Sequence, residues 1–386
     1  MTEAQTAPFV LPKPTGRFGI GTASWYVTDA TRTESFSSTA AQRQIKVTAW
    51  YPTELATAGR AGIRAPYLRE TLREARAFAT QMGDATAYDN LAAVQTHSFV
   101  DAPILAAPST FPVLLFSHGF TGLISAHTAL IEDLASRGYV VLSVAHTYEV
   151  VATTLSNGAF VTMLDAQGEL RQPIRDVITE WSDVDSMMAR VTAASSDAEK
   201  LNILNEYLSR IPKTHAVVDR WTNDAKLVLD KLPTLSPHTI GGQLARRIDL
   251  GRLGVLGHSM GGVMAGQFCI EDSRCRAGLN LDGVPQTGTM INAKMKQPFL
   301  MMYSARPGRL GASDLIYSRA TSRYYRADVD DTLHNDFTDM NFWGGPLRKA
   351  GAFGSMAPER SAELTRLIVG QFFDQELRGI QSMFLN

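Results

Sequence analysis

The residues best suited to carry out chemistry form a glycine-rich turn around one serine. The segment Gly-His-Ser-Met-Gly-Gly at 257–262 directly follows the apolar run at 253–256, which predicts a buried strand, and a helix is predicted after it. The Gly-x-Ser-x-Gly pattern occurs by chance in many chains. Between a strand and a helix, however, it holds the serine hydroxyl on a sharp turn, and a Cβ at either glycine would clash. Ser259 is therefore predicted to be a nucleophile; the alternative is a serine that only caps the helix.

A serine nucleophile needs a base, and the chain offers one histidine after Ser259. A hydroxyl must lose its proton to attack a carbonyl, and the chain order nucleophile, acid, histidine is that of α/β-hydrolases. His334 lies in the polar segment 331–337 and is the only histidine downstream of the serine. We expect His334 to be the base, rather than a surface histidine in a polar loop.

The acid that would orient this base has two main candidates. Asp282 closes one predicted strand, at its carboxyl end, and Asp314 follows the next strand. Asp336 and Asp339 lie too close to His334 in sequence to be preferred. Reasoning from the residues alone leaves Asp282 and Asp314 nearly equal, and Asp282 has the alternative role of capping the turn that follows it.

Two backbone amides are candidates for an oxyanion hole. The Met260 N–H lies at the predicted helix N-terminus beside the nucleophile, where it can meet a developing negative charge. The second donor is expected from the end of an earlier strand, where the segment Ser-His-Gly-Phe-Thr-Gly at 117–122 offers the Phe120 N–H. We expect His118 to bond the loop backbone rather than to act as a second base.

Short apolar runs alternate with helical stretches along the chain. Strands that are apolar on both faces and separated by helices are typical of a mainly parallel sheet covered on both sides, which is the α/β class. We predict a single domain over residues 16–386, preceded by a flexible arm at 1–15. The predicted strands lie at 43–51, 111–117, 139–144, 253–256, 277–281 and 298–303.

The stretch between the predicted strands at 139–144 and 253–256 is too long for one crossover connection. Residues 172–212 are interpreted as a helical cap insertion, because a capping box at 196–199 precedes leucines with helical spacing. An insertion here would lie over the carboxyl ends of the strands, where α/β sheets bind ligands. The alternative is helical packing on the rim of the fold.

The composition excludes several classes of function. The 386-residue chain has a net charge of −1 and 45% apolar residues. This gives no basic surface for nucleic acid, and no apolar run is long enough to span a bilayer. Cys269 and Cys275 cannot form a zinc site by themselves, but they can form a short disulfide. The N-terminus as written lacks the pattern expected of a signal peptide. If a signal has already been removed and the disulfide forms, a secreted or periplasmic location is favoured over a cytoplasmic one.

Five segments together resemble the plasma-type platelet-activating factor acetylhydrolases (group VII phospholipases A2) and their bacterial esterase relatives. The segments are Trp-Tyr-Pro at 50–52, His-Gly-Phe at 118–120, the serine turn at 257–262, Leu-Asp-Gly at 281–283 and His-Asn-Asp-Phe at 334–337. The resemblance implies an α/β-hydrolase fold and no metal or cofactor. It also implies an acid at the Leu-Asp position, which favours Asp282 over Asp314.

The combined prediction is a serine carboxylic-ester hydrolase that acts through an acyl-enzyme on a small-molecule or lipid ester. Short-chain acyl esters are expected, with acetyl or truncated-acyl phospholipids as the more specific substrates. The alternatives are a polyester or general short-chain esterase, an acyltransferase with the same triad, and a catalytically silent ligand-binding module of the same fold. The sequence does not indicate an oligomeric state.

Overall fold

One ten-stranded sheet organises the chain in the computed structural model, which describes residues 8–36, 41–54, 62–107, 110–306, 312–321 and 323–385. The strands are β1 (Gly19–Thr33), β2 (Gln42–Thr53), β3 (Arg64–Pro66), β4 (Gln95–Val100), β5 (Phe111–Ser117), β6 (Val140–Ala145), β7 (Ala152–Thr154), β8 (Phe160–Thr162), β9 (Ile248–His258), β10 (Cys275–Leu281), β11 (Phe299–Ser304) and β12 (Tyr324–Val329). The order in the main sheet is β12-β11-β10-β9-β5-β6-β2-β1-β4-β3, and β7 pairs with β8 in a separate small sheet. The six strands from β12 to β6 run parallel, and β2 pairs antiparallel with both β6 and β1.

Helices cover both faces of this sheet. They are α1 (Leu72–Thr80), α2 (Thr128–Ser136), α3 (Gln172–Glu180), α4 (Val184–Ala193), α5 (Asp197–Leu208), α6 (Pro212–Lys231), α7 (Ile240–Ala245), α8 (Met260–Glu271), α9 (Ala312–Ala320), α10 (Gly345–Lys349) and α11 (Pro358–Arg378). One apolar core unites residues of α6 and α8 with one face of the strands, and a second core unites α2 and α11 with the other. The predicted α/β class, with a mainly parallel sheet covered on both sides, is confirmed.

The central strands are apolar on both faces because helices pack on each side of them. Every residue of Phe111–Ser117 is buried, and this strand coincides with the one predicted from its continuous apolar run. Because β5, β6, β9 and β10 are parallel, their carboxyl ends meet at one edge of the sheet. The residues that follow these strands include His118, His146, Ser259 and Asp282, so the fold gathers them at this edge.

The N-terminal segment differs from the flexible arm predicted over residues 1–15. Residues 1–7 lie outside the described part of the chain, whereas residues 8–15 pack against the domain. Leu11 is buried, and the Thr15 N–H and hydroxyl both donate to Asp133, at 2.7 and 2.8 Å. The prediction missed these contacts because the partners are more than a hundred residues away in sequence.

Residues 172–212 form the helices α3, α4 and α5 and the first residue of α6. Half of the predicted capping box forms: the Glu199 N–H donates to Ser196 Oγ at 3.2 Å, but the Glu199 carboxylate accepts the N–H of Ser195, at 2.9 Å, and not that of Ser196. The indole N–H of Trp181 donates to Thr214 Oγ1 at 3.1 Å, which ties the end of α3 to α6. The Phe120 ring lies 5.3 Å from this indole, centroid to centroid.

Candidate active site

Ser259 lies on a sharp turn between β9 and α8. Its φ of 57° and ψ of −124° fall where few non-glycine residues are found, and its N–H is held by Leu281 O at 2.8 Å. Such a conformation is a strained one that persists only where its surroundings enforce it. Here the turn directs the serine side chain into a pocket at the carboxyl edge of the sheet.

The glycines around the serine are required by close backbone contacts. A Cβ on Gly257 would lie 2.3 Å from the carbonyl carbon of Gly261, and a Cβ on Gly261 would lie 2.2 Å from Ser117 O. Strand β5, the serine turn and the start of α8 therefore touch backbone to backbone. No side chain can be inserted between them without moving the nucleophile.

We expect Gly261→Ala to lower the free energy of unfolding by ~1–3 kcal/mol, because the added methyl meets rigid carbonyl groups. Urea denaturation followed by circular dichroism measures this. Gly288→Ala is the matched control, since Gly288 is exposed and a Cβ there meets nothing within 4 Å. Equal stability of the two variants would contradict the packing described for the turn.

His334 and Asp282 are hydrogen-bonded to each other beside the serine. His334 Nδ1 lies 2.7 Å from Asp282 Oδ2. Because the carboxylate can only accept, Nδ1 carries the proton, and Nε2 of a neutral imidazole is left as an acceptor. His334 begins a short 3₁₀ turn, 334–337, and its ring is partly exposed, so the free nitrogen is open to the pocket.

The Asp282 carboxylate is buried and accepts several hydrogen bonds. Ser304 donates its N–H and its hydroxyl to the two carboxylate oxygens, at 2.8 and 2.9 Å, and Arg306 Nε lies 3.3 Å from Oδ2. Burial acts to raise the pKa of Asp282, but the His334 hydrogen bond and the Arg306 charge outweigh it and hold the pKa below its usual value. The group is therefore an anion at neutral pH.

The rival acids have other partners. Asp314 accepts hydrogen bonds from the Tyr324 hydroxyl and from Arg326, both residues of β12. Asp336 accepts from the N–H groups of Leu333 and Gly354, both at 2.7 Å. Of the carboxylates considered from the sequence, Asp282 is the one that the structure pairs with His334.

Both candidate oxyanion residues lie next to Ser259. Met260 is the first residue of α8, and Phe120 lies in the loop that crosses over the serine from β5. This loop is so close that a Cβ on Gly119 would lie 3.2 Å from the Ser259 Cβ. The residues that carry the two candidate amides thus lie beside the serine.

His258 has a role that the sequence did not reveal. Its Nε2 lies 2.9 Å from His334 O, and the two rings are 4.5 Å apart, centroid to centroid. Burial, and the nearby His334 ring, hold its pKa well below the usual value, so the ring is neutral. As a neutral donor, it anchors the backbone of the candidate base.

The pocket has a volume of about 250 Å³. Ser259, His334 and Phe120 form its floor. Its wall consists of apolar side chains from α1, from the segment that directly follows α1, and from α10. These wall residues could not be identified from the sequence, because no motif links them to the serine. They are Phe78, Met82 and Leu347, with Met340 beside them.

Outside the pocket, Cys269 and Cys275 are joined by a disulfide between the end of α8 and the start of β10, with their Cα atoms 5.0 Å apart.

Among the described residues, no group of three or more His, Cys, Asp or Glu side chains is arranged to hold a metal ion. No helix in the same ranges has both the length and the apolar character needed to cross a membrane.

Comparison with protein families finds one match along nearly the whole chain. The family model described as platelet-activating factor acetylhydrolase, isoform II, matches residues 5–377. This supports the resemblance noted from the sequence, and it spans the serine turn, Asp282 and His334 together.

Individual relatives agree with this match. A platelet-activating factor acetylhydrolase of Canis lupus familiaris is 23% identical over 241 residues, which are 61% of this chain and 50% of that protein. A probable 1-alkyl-2-acetylglycerophosphocholine esterase of Arthroderma benhamiae is 25% identical over 291 residues, 69% of this chain and 61% of that protein. The chain thus spans about half to three fifths of the length of these relatives.

A solved structure is similar over its full length. The ferulic acid esterase from Streptomyces cinnamoneus superposes with a TM-score of 0.70 at 27% sequence identity. The superposition covers 98% of this chain and 96% of that one. The described fold is therefore shared with an esterase along nearly the whole chain.

Proposed function

This chain belongs to the platelet-activating factor acetylhydrolase, isoform II, family, and we propose on that premise that it is a serine carboxylic-ester hydrolase. The observation that carries the proposal is the 2.7 Å bond between His334 Nδ1 and Asp282, beside the pocket that holds Ser259. A nucleophile, a base and an orienting carboxylate on one sheet edge form the set that acyl transfer requires.

In the proposed mechanism, Ser259 Oγ attacks the ester carbonyl while His334 Nε2 takes the hydroxyl proton. The carbonyl oxygen becomes an oxyanion that accepts hydrogen bonds from the Phe120 and Met260 N–H groups. Collapse breaks the C–O bond, and His334 returns the proton to the leaving alcohol. Water then attacks the acyl-enzyme by the same route and releases the acid, while Asp282 stabilises the imidazolium in both steps.

The pocket supports a short acyl chain as the substrate. Its volume of about 250 Å³ is below the ~300–1,000 Å³ that is usual for sites of drug-sized ligands. Its described wall is apolar or neutral and includes no Lys, Arg, Asp or Glu. An acetyl or other truncated acyl group fits these properties, and a charged phospholipid headgroup would lie outside the pocket.

We further propose that residues 172–212 act as a cap beside this pocket. The support is the contact between Trp181 and Phe120, whose ring centroids are 5.3 Å apart. Through it the insertion touches the loop that carries one of the proposed oxyanion donors. Residues 16–386, with this insertion inside them, are proposed to form one hydrolase domain around the site.

Hydrolysis of p-nitrophenyl esters from acetate to palmitate tests the proposed function. We expect acetate and butyrate to be turned over at least about tenfold faster than palmitate, since extra methylenes would have to leave a pocket that is already filled. Prior treatment with a serine-directed phosphonate serves as the control and is expected to abolish turnover. Fastest turnover of palmitate, or none of any ester, would contradict the proposal.

Two additions to this assay separate the alternatives. Added methanol distinguishes a hydrolase from an acyltransferase, because a transferase forms mainly methyl ester and a hydrolase mainly acid. A 1-alkyl-2-acetyl glycerophosphocholine, compared with its 2-palmitoyl analogue, tests the phospholipid substrate itself. Selective release of acetate would support that more specific substrate.

A further inference from the structure

The loop that follows β5 contains a histidine whose two ring nitrogens both have partners. His118 Nε2 accepts the N–H of His146 at 3.3 Å, and its Nδ1 lies 2.6 Å from Gly119 O. Because a backbone N–H can only donate, Nε2 must be unprotonated, and Nδ1 therefore carries the hydrogen that it donates to Gly119 O. Backbone contacts alone thus select the tautomer of His118.

The Gly119 carbonyl oxygen is held twice. Besides the His118 ring, it accepts the N–H of Gly122 at 2.9 Å. A trans peptide is planar, and its C=O and N–H point in opposite directions. Two bonds on Gly119 O therefore fix the direction of the Phe120 N–H, which belongs to the same peptide plane.

A buried chain of side chains lies behind His118. Ser117 Oγ lies 3.1 Å from His146 Nε2, and His146 Nδ1 lies 2.9 Å from Asp224 Oδ2. All three side chains have zero exposure. These side chains are bonded in the order of a catalytic triad, but no substrate can reach them. The hydrogen-bonded series can therefore affect only the residues that it contacts.

The charges around Asp224 determine which atom is the donor in each hydrogen bond of the Ser117–His146–Asp224 series. Arg43 and Arg32 contact its two oxygens at 2.6 and 2.8 Å. Burial acts to raise the pKa of Asp224, but the Arg43 charge outweighs it and lowers the pKa, so the carboxylate is ionised. His146 Nδ1 therefore donates to Asp224, and His146 Nε2 accepts from Ser117.

An aromatic ring packs against both histidines of this hydrogen-bonded series. The Trp221 ring stacks on His146 at 4.0 Å with an interplanar angle of 5°, and it meets the edge of His118 at 5.0 Å. Its indole N–H donates to Glu149 at 3.0 Å, and the Glu149 carbonyl accepts the Thr121 N–H at 2.9 Å. The loop is thus held on both sides of Phe120.

We propose that His118 is a positioning residue for the oxyanion hole, with the buried chain Ser117–His146–Asp224 as its support. His118 acts through the Gly119–Phe120 peptide plane and does not touch the substrate. The inference rests on the proposed function, because it assigns to the Phe120 N–H a developing oxyanion to bind. It adds to that function by tying the donor to Asp224 on α6, the helix that follows the cap insertion.

The test compares three substitutions of His118. In His118→Asn the amide nitrogen can replace Nδ1 and still donate to Gly119 O. In His118→Gln the amide reaches the position of Nε2 and leaves Gly119 O without this donor. His118→Phe keeps a ring but removes both bonds. His238→Phe, at an exposed histidine, is the control for the loss of a histidine.

Each variant is assayed with p-nitrophenyl acetate and with its thionoester, in which sulfur replaces the carbonyl oxygen. Sulfur is a weak hydrogen-bond acceptor, so the ratio of the two kcat/KM values reports how well the oxyanion hole works. We expect His118→Gln and His118→Phe to lower kcat for the oxygen ester by ~10–100-fold, with KM nearly unchanged and a smaller oxygen-to-sulfur ratio. His118→Asn and His238→Phe are expected to stay within about fivefold of the wild type, well short of the loss from one missing donor.

The ratio is insensitive to the amount of folded enzyme, because both substrates are measured on the same sample. If His118→Phe does not fold, the Asn and Gln variants decide the question between them. An unchanged ratio in His118→Gln, with an active wild type, would overturn this inference and leave the proposed function standing. An inactive wild type would overturn the proposed function, and the inference with it.

Discussion

Replacing Ser259 with alanine is expected to lower kcat for p-nitrophenyl acetate by about 10⁶-fold. The alanine removes the hydroxyl oxygen that is proposed to form the acyl-enzyme. The His334–Asp282 pair and the oxyanion amides remain, so a weak rate above the reaction in water is expected to persist. Stopped-flow and steady-state assays at equal protein concentration measure the loss.

Ser156→Ala is the matched control for this experiment, since Ser156 is exposed and distant in sequence from the site. It is expected to keep full activity. A Ser259→Ala variant that retained more than about a hundredth of the wild-type kcat would show that the serine is not the nucleophile for this ester, because such losses are far larger. The family membership would then have to be reconciled with a non-catalytic site.

The second large effect is expected at Asp282. Asp282→Asn should lower kcat/KM by about 10⁴-fold, the loss known for the same change in the serine-protease triad. The reason is the tautomer of His334: an amide NH₂ facing Nδ1 favours the hydrogen on Nε2, which can then no longer accept the serine proton. The variant keeps the shape of the side chain, so KM is expected to change little.

Asp314→Asn provides the control, because the sequence alone left Asp314 as a rival acid. Asp314 bonds Tyr324 and Arg326, away from His334, so its replacement is expected to leave kcat/KM within about threefold. Measuring both variants across a range of pH separates a lost base from a lost fold. A larger loss at Asp314 than at Asp282 would contradict the proposed assignment.

The sequence was most informative where a residue's neighbours are local. The apolar runs predicted β5 without error and β6, β10 and β11 to within a residue or two at either end, because strands buried on both faces have to be continuously apolar. Ser259 and His334 followed from a turn with a unique geometry and from a histidine with no competitor downstream. These inferences needed no knowledge of which segments lie side by side.

What the sequence could not predict depends on contacts between distant segments. Asp282 and Asp314 each follow a strand, and only the register of β10 against β11 brings the Ser304 donors to Asp282. The wall helix α1 is rich in charged residues and carries no motif, so its position over the pocket is set by tertiary packing. The support behind His118 likewise joins β5, β6 and α6, which lie up to a hundred residues apart.

The origin of the pocket wall bears on how the sequence of this protein could diverge. Phe78, Met82 and Leu347 come from segments that supply none of the reacting groups, whereas a Cβ on the glycines at 257 and 261 would meet backbone atoms at 2.2–2.3 Å. Mutations in the wall can therefore accumulate at little cost to the chemistry, while those in the turn are removed by selection. Within a lineage of such chains, substrate range is expected to drift at 72–82 and 345–349 around an unchanging serine turn.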